Sequence, residues 1–367
     1  MKRARISLAF CGLATSAALW AALWPHARDA AATLAAQDDP AELADVKLNS
    51  PLQNNNLISD NIEAALAAHD ADLANSFVEL ARDRNIAIGD EQAGRVTAAV
   101  AEENSSAHLA RSFATGLVTG NADDVASLSG TIAGDLFVFG DVRDVVRETK
   151  HLAMGEDTDR LVLGLATAGL AVTAATYISV GGAVPLRAGL TLVKDARKVG
   201  RLGSGLAEWA GRSAREVVDA PVLQQAVAHG SVLRPGETVN AIRAAFRAEK
   251  AGGLVRLAKD IGRVGERAGI RAAQDTLKIA EEPKDVARAA RLAEAKGGKT
   301  RAILKVLGRG ALLLASGAFG LASWLFAALL AVFGVLSSIK ATTERATQAV
   351  LDRRRVKRLR MQLAAAR

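Results

Sequence analysis

Residues 310–339 read GALLLASGAFGLASWLFAALLAVFGVLSSI and contain no charged residue. A helix that crosses the hydrocarbon core of a bilayer needs about 20 apolar residues, so this stretch is long enough to span with some tilt. Arg309 and Lys340 flank it, where long cationic side chains can reach the headgroups. A buried helix of a soluble domain is the alternative, although such helices rarely go so long without a polar residue. The stretch therefore predicts a transmembrane helix over 310–339.

The N-terminus carries a second apolar stretch. Met1–Arg5 has three positive charges, and residues 6–24 are uncharged. This pattern predicts a signal anchor or a secretory signal peptide over 1–24. Trp20 and Trp24 resemble an interfacial aromatic belt and favour the anchor, whereas the small residues 30–32 would allow cleavage. In both cases the chain that follows is exported.

Composition predicts an all-α protein built from helical hairpins and a bundle. Aromatic residues are only 4% of the 367, and Ala and Arg, which favour helices, are abundant. Cys11 is the only cysteine, which excludes an internal disulfide and a cysteine-based zinc site.

Charge divides the chain into an acidic and a basic half. Residues 25–160 have 24 acidic and 10 basic side chains, and residues 187–309 have 13 acidic and 25 basic ones. Such asymmetry is expected when a chain distributes itself across a membrane. Nucleic-acid binding is a competing interpretation of the basic half, but no interleaved aromatic residues or recognition motif supports it. The partners predicted from charge are the lipid bilayer, especially anionic lipids, and a protein in the envelope.

The acidic half is predicted to contain a linker followed by helices. Residues 25–58 are taken as the linker, because Asp38-Asp39-Pro40 and Asn54-Asn55-Asn56 are helix breakers. Residues 59–160 form the acidic helical domain. Asp60 and Glu63 have the spacing of a capping box at its start, and His69-Asp70 marks a break between two helices.

The central and basic parts are predicted to be helical as well. Residues 161–186 are a central apolar helix that either spans the membrane marginally or is buried, with small residues from Gly164 onward on one face. Residues 187–309 form a basic helical region, with helices over 238–249 and 254–280 and another that starts at Pro283. Its first cations, which include Lys194 and Lys198, are expected to face anionic headgroups.

Residues 340–367 are predicted to be a basic cytoplasmic tail. Six cations within eight residues would fix the orientation of the preceding span and attract anionic lipid headgroups. These residues are Arg353, Arg354, Arg355, Lys357, Arg358 and Arg360.

A polar turn before the central apolar helix is the candidate site. Its residues are Asp135, Asp141, Arg143 and Asp144. Asp144 and Arg147 are spaced to pair along a helix, and Arg143 is expected to pair with Asp135 or Asp141. Glu148 and His151 have the spacing of a di-iron ligand pair, but a second copy is missing.

Catalytic and cofactor motifs are missing from the sequence: it has no nucleophile elbow, no His-Glu-x-x-His and no complete phosphate-binding loop. We therefore predict a non-enzymatic protein without a cofactor or metal. An enzyme that depends on one of the three aspartates of the turn remains an alternative.

The segments Gly134–Asp144, Gly155–Asp157, Leu161–Thr176 and Gly189–Leu202 resemble a family of proteobacterial helical membrane proteins to which no activity is assigned. The resemblance covers most of the chain and implies a membrane location but no catalytic residue. The Gly140–Asp144 turn is also similar, over a few residues, to pre-toxin regions of bacterial polymorphic toxins.

Topology gives two solutions, because the positive N-terminus and tail both favour the cytoplasm and require an even number of crossings. In the first, 6–24 and 310–339 span and residues 25–309 are periplasmic. In the second, 161–186 spans, the basic residues 187–309 stay cytoplasmic, and 310–339 is re-entrant. We favour the first, which predicts an inner-membrane protein that presents a helical domain for structural or partner-binding work. A membrane-perturbing protein that uses the 161–186 segment is the second possibility.

Overall fold

The computed structural model describes residues 2–54, 56–105, 141, 143–151, 154, 156–176, 184–219, 221–223, 225, 244–313 and 318–365. This part of the chain is helical, without a β-strand, which confirms the predicted all-α class. It forms two compact units. Unit 1 comprises Met1–Asp38 and Leu314–Arg367, and unit 2 is Asp39–Leu313.

Unit 2 is a bundle of short helices joined by tight turns. Its described helices are α2 Pro40–Leu48, α3 Leu57–Ala67, α4 Ala71–Asp83, α5 Asp90–Glu103, α6 Arg160–Thr176, α7 Val184–Lys198, α8 Ser204–Val217, α9 Gly252–Ala268, α10 Ile270–Ile279, α11 Pro283–Lys296 and α12 Thr300–Leu307. Unit 1 contains α1 Lys2–Ala35 and α13 Ala318–Ala365. The described residues of the 238–249 range, predicted as a helix, include a short 3-10 turn that begins at Ala248.

The range 25–58, predicted as a linker, contains helical structure instead. α1 continues to Ala35, and α2 buries Leu43 and Leu48 completely in the core of unit 2. Asp39 accepts a hydrogen bond from the backbone N–H of Ala41, and Pro40 occupies the first turn of α2. Asp39 and Pro40, predicted to break helices, therefore start one, since an aspartate cap followed by proline suits a helix N-terminus.

The predicted capping box at Asp60 and Glu63 is also wrong. α3 begins earlier, at Leu57, and Glu63 pairs with Arg95 of α5 at 3.0 Å. The predicted break at His69-Asp70 is confirmed: His69 has a φ of 53°, and Asp70 caps α4 by accepting from the backbone N–H of Leu73.

The range 254–280, predicted as one helix, is two helices. Gly269 ends α9 with a φ of 92°, a left-handed conformation that glycine adopts without strain, and α10 follows at once. The predicted apolar stripe of α9 is buried, and α11 starts at Pro283 as predicted.

One hydrophobic core joins the acidic and the basic halves. Phe77 of α4 and Ile62 of α3 belong to the same buried cluster as Leu257 of α9 and Leu292 of α11. α7 and α9 approach so closely at Gly189 that a Cβ there would lie 1.7 Å from the carbonyl oxygen of Ala258. The two halves are therefore one folded unit.

Ion pairs between the halves surround this core. Arg301 of α12 is almost completely buried and donates hydrogen bonds to Asp70, Asp72 and Asp275 at 2.7–2.9 Å. Arg271 of α10 adds a second cation to Asp70 at 3.0 Å. Burial opposes the charge of Asp70, but its hydrogen bonds from Arg301 outweigh this and hold its pKa below the usual value.

The central apolar segment contributes its first part to the core of unit 2. Residues 161–169 of α6 are buried, and a Cβ at Gly164 would lie 2.5 Å from the Cβ of Ala214 on α8. The small-residue face thus makes a close helix contact, within unit 2. Leu161 and Leu165 of this segment share one hydrophobic core with helices from both halves of the chain.

The predicted 310–339 segment divides between the two units. Ala311 and Leu312 are fully buried in unit 2, where Arg288 donates a hydrogen bond to the carbonyl of Leu312. α13 begins only at Ala318. The first residues of the segment therefore belong to the bundle, which is a correction to the predicted boundary.

Unit 1 is a pair of helices that run in opposite directions. The ring of His26, late in α1, stacks on that of Trp324, early in α13, at 4.7 Å. Large apolar side chains of both helices stay exposed; Phe326, Leu329 and Phe333 are 63–70% exposed. In the described part of the chain, one helix, Ser323–Gln362, is long and apolar enough to cross a membrane, and 6% of its apolar window is buried.

We expect Arg301→Met to lower the free energy of unfolding by about 3 kcal/mol, because removal of one partner leaves clustered carboxylates unpaired. Arg95→Met, which breaks the exposed pair with Glu63, should have a much smaller effect, because solvent screens this pair. Urea unfolding of the full chain in detergent would measure both. Its readout is the fluorescence of Trp209, the only tryptophan of unit 2, once Trp20, Trp24 and Trp324 are replaced by Phe. Equal effects of the two substitutions would contradict a central role for Arg301.

Candidate functional site

The predicted polar turn contributes to a cluster of two acids and two bases, of which Asp144 and Lys194 are buried. Lys194 of α7 lies 2.6 Å from Asp141 and 3.1 Å from Asp144. Lys198, one turn later on α7, donates to Asp144 at 2.8 Å. Asp144 is completely buried and Lys194 nearly so. Two lysines, one buried and one exposed, therefore balance the charges of the two aspartates.

Burial and charge act in opposite directions on these groups. Burial raises the pKa of Asp141 to about 6, because loss of hydration outweighs the attraction of Lys194 and the charge of Asp144 adds to it. For Asp144, burial opposes the charge, but the lysine partners outweigh it and hold the pKa below its usual value. For Lys194, burial lowers the pKa, but the attraction of the two aspartates outweighs it and the net shift is upward.

Gly169 gives Asp141 its space. A Cβ at residue 169 would lie 2.2 Å from the Oδ2 atom of Asp141, well inside any permitted contact. Gly169 thus lets the carboxylate of Asp141 enter a helix contact and meet Lys194. The need for glycine at this position is explained by the buried carboxylate.

The remaining residues of the turn extend the network outward. Arg143, predicted to pair with Asp135 or Asp141, is mostly exposed and lies 3.9 Å from Asp144. The predicted pair of Asp144 and Arg147 is present at 3.8 Å, and Arg147 also binds Glu148 at 2.9 Å. Asp135 lies outside the described residues.

The carboxylate of Glu148 is engaged in structural contacts. Besides Arg147, it accepts a hydrogen bond from the backbone N–H of Asp159. His151 lies 3.8 Å from Glu156 instead of sharing a ligand site with Glu148. Among the residues that the structure describes, no cluster of three or more His, Cys, Asp or Glu side chains could hold a metal ion.

Lys194 and Lys198 correct another prediction. Both were expected to face lipid headgroups, but they are engaged by the acidic half of the chain. The sequence contains the signal: the two lysines lie four residues apart, as Asp141 and Asp144 lie three apart, so each pair shares one helix face. The sequence does not show that these two helix faces contact one another, because at least 50 residues separate the lysines from the aspartates.

An open cleft of about 670 Å³ lies beside this cluster. Its walls are formed by residues at the start of α6, at and just after the end of α7, and along most of α8. Asp159 joins the cleft to the network, because its backbone N–H donates to the carboxylate of Glu148 at 2.9 Å. The carboxylate of Asp159 caps α6 by accepting from the backbone N–H groups of Leu161 and Val162, and it binds Arg197 at 2.9 Å. The charged side chains that line it are Asp159, Arg160, Arg197, Glu208 and Arg215.

The six cations of the predicted tail lie on the last part of α13 and are exposed. They lie in unit 1, whereas the aspartates of the turn lie in unit 2.

No family model matches this chain, and neither the curated proteins nor the solved structures contain a match. The resemblance to proteobacterial membrane proteins and to pre-toxin regions therefore stays a prediction. The class that the fold defines is an all-α protein with an ion-paired helical bundle and a two-helix unit that exposes apolar side chains.

We expect the raised pKa of Asp141 to make stability depend on pH. The folded chain binds the Asp141 proton more tightly than the unfolded chain, so the wild type should lose stability relative to Asp141→Asn as the pH rises from about 4 to about 6. Above this range the difference should be constant. Urea unfolding of both full chains across this range, followed by Trp209, would measure it. A difference that is flat or grows in favour of the wild type would contradict the assignment.

Proposed function

We propose that this chain is a non-enzymatic integral protein of the bacterial inner membrane, in which unit 1 is a two-span hairpin and unit 2 is a periplasmic domain for structural or partner-binding work. The observation that carries this proposal is the exposed apolar surface of unit 1.

Lipid contact would account for the exposed side chains. Monomeric soluble proteins rarely expose large contiguous apolar patches, whereas α13 exposes Leu329, Phe333 and Leu336 by 60% or more. From Ala318 to Ile339 this helix extends about 33 Å, which matches a hydrocarbon core of about 30 Å. The rings of Trp20 and Trp24 stack on one another, and in the register set by the contact of His26 with Trp324 they lie level with about residues 330 and 326, within the apolar part of α13.

The charges of the hairpin support one orientation. Because α1 and α13 run in opposite directions from the contact of His26 and Trp324, residues 2–5 lie level with about residues 345–348. The basic N-terminus and the basic tail thus belong to the same end. The positive-inside rule favours the cytoplasm for that end, where the tail cations would also attract anionic lipid. Unit 2 would then be periplasmic.

The ion pairs of unit 2 favour a structural role for its buried carboxylates over a catalytic one. Asp141 and Asp144 are both held by lysines at hydrogen-bond distance. The membrane-perturbing alternative requires residues 161–169 to leave the core, at the cost of exposing several buried side chains. The non-enzymatic domain is therefore the function that we retain.

A reporter that is active only in the cytoplasm, fused after Arg367, should be active in the full chain. Replacement of the six tail cations by Gln should lower this signal, because the charge bias that retains the tail is lost. The matched control replaces the five arginines among them by Lys, keeps the charge and should leave the signal unchanged. If a reporter that works only in the periplasm were active when fused after Arg367, this result would contradict the proposal.

A further inference from the structure

We propose that the cleft along α8 is a binding site for a small molecule that carries a phosphate group. The cleft volume of about 670 Å³ lies in the range typical of small-molecule sites. This inference rests on unit 2 alone and does not depend on the side of the membrane that unit 2 occupies.

The charges of the cleft leave an excess of cation. Asp159 is engaged by Arg197 and by the amides of α6, and Glu208 is paired with Arg212 on the same helix. Arg160 and Arg215 are both exposed, and neither forms an ion pair with any residue that the structure describes. Two guanidinium groups from different helices thus remain available to an incoming anion.

Arginine suits a phosphate ligand in particular. Its planar guanidinium presents five N–H donors in a fixed fork that matches phosphate oxygens. Arg197 adds to this capacity, because its hydrogen bond to Asp159 uses only Nε. The amides at the helix starts are already capped by carboxylates, so the arginines would supply the binding energy.

The shape of the cleft fits an extended ligand. Ser204 and Arg215 both line it, and they are separated by about 16 Å along α8. Leu161, Leu202 and Ala207 provide an apolar part of the wall between the charged groups. A phosphate ester with an organic group is therefore a better match than a free ion, either as a soluble metabolite or as a lipid headgroup.

Gly211 allows the cleft to be filled without damage to the core. It lies in α8, lines the cleft, and a Cβ there would meet nothing within 4 Å. Gly211→Trp should therefore occupy the ligand space, whereas Gly211→Ala should leave it open. Alanine also favours the helix over glycine, so a loss of folding is not expected in the control.

The test is titration of the full chain in a non-ionic detergent with glycerol 3-phosphate, followed by ³¹P NMR line broadening. We expect saturable binding that weakens about a hundredfold in Arg160→Gln/Arg215→Gln, since loss of each charge-assisted contact weakens binding about tenfold. Gly211→Trp should abolish binding. Gly211→Ala should retain it, and far-UV circular dichroism checks the fold of every variant.

The outcomes separate the proposal from its alternatives. Absence of saturable binding by the wild type, or equal affinity in the double arginine variant and the wild type, would overturn it. A second arm repeats the titration in nanodiscs of phosphatidylcholine with and without phosphatidylglycerol. Competition by phosphatidylglycerol would assign the site to a lipid headgroup, and unchanged binding would assign it to a soluble phosphate ester.

Discussion

The buried guanidinium of Arg301 is the interaction on which unit 2 depends most. It comes from the basic half of the chain and is held by Asp70 and Asp72 of the acidic half, with Asp275 as a third partner. A buried charge without partners would be costly, so α12 is stable in its position only when α4 and α10 are in place. The same logic recurs at Lys194, where two aspartates make burial of an ammonium group possible. Opposite charges of distant segments thus fix how the helices assemble around the common core.

This pairing changes the meaning of the charge asymmetry. Read along the chain, −14 over residues 25–160 and +12 over 187–309 suggest segments on opposite sides of a membrane. In the fold, the two halves neutralise one another within unit 2, as Lys296 with Asp45 and Lys299 with Asp83 also show. The excess of positive charge that could orient the chain in a membrane then lies in its termini. At the cleft, Arg160 and Arg215 form no ion pair with any residue that the structure describes, and this is the basis for the proposed anion site.

Helix type and many helix ends could be predicted from local sequence, because caps, glycines and prolines act over a few residues. The break at Asp70, the buried stripe of α9 and the start at Pro283 are examples. The predictions that failed concern long-range contact. The sequence predicts a linker at Asp39-Pro40, but these residues start a buried helix. It predicts that Lys194 contacts lipid headgroups, but the partners of Lys194 are aspartates 50 and 53 residues earlier. Local pattern cannot distinguish a cation that faces lipid from one that faces a carboxylate across the bundle.

The central claim is that the acidic and basic halves form one domain on one side of the membrane, and cysteine labelling tests it most directly. In a Cys11→Ser background, single cysteines would replace the exposed residues Ala98, Ala248 and Gln362 of the full chain. A membrane-impermeant maleimide would then be added to cells with a permeabilised outer membrane. We predict equal labelling at 98 and 248, and labelling at 362 only after lysis. Labelling at 98 together with protection at 248 would place a membrane crossing between the halves and contradict the account.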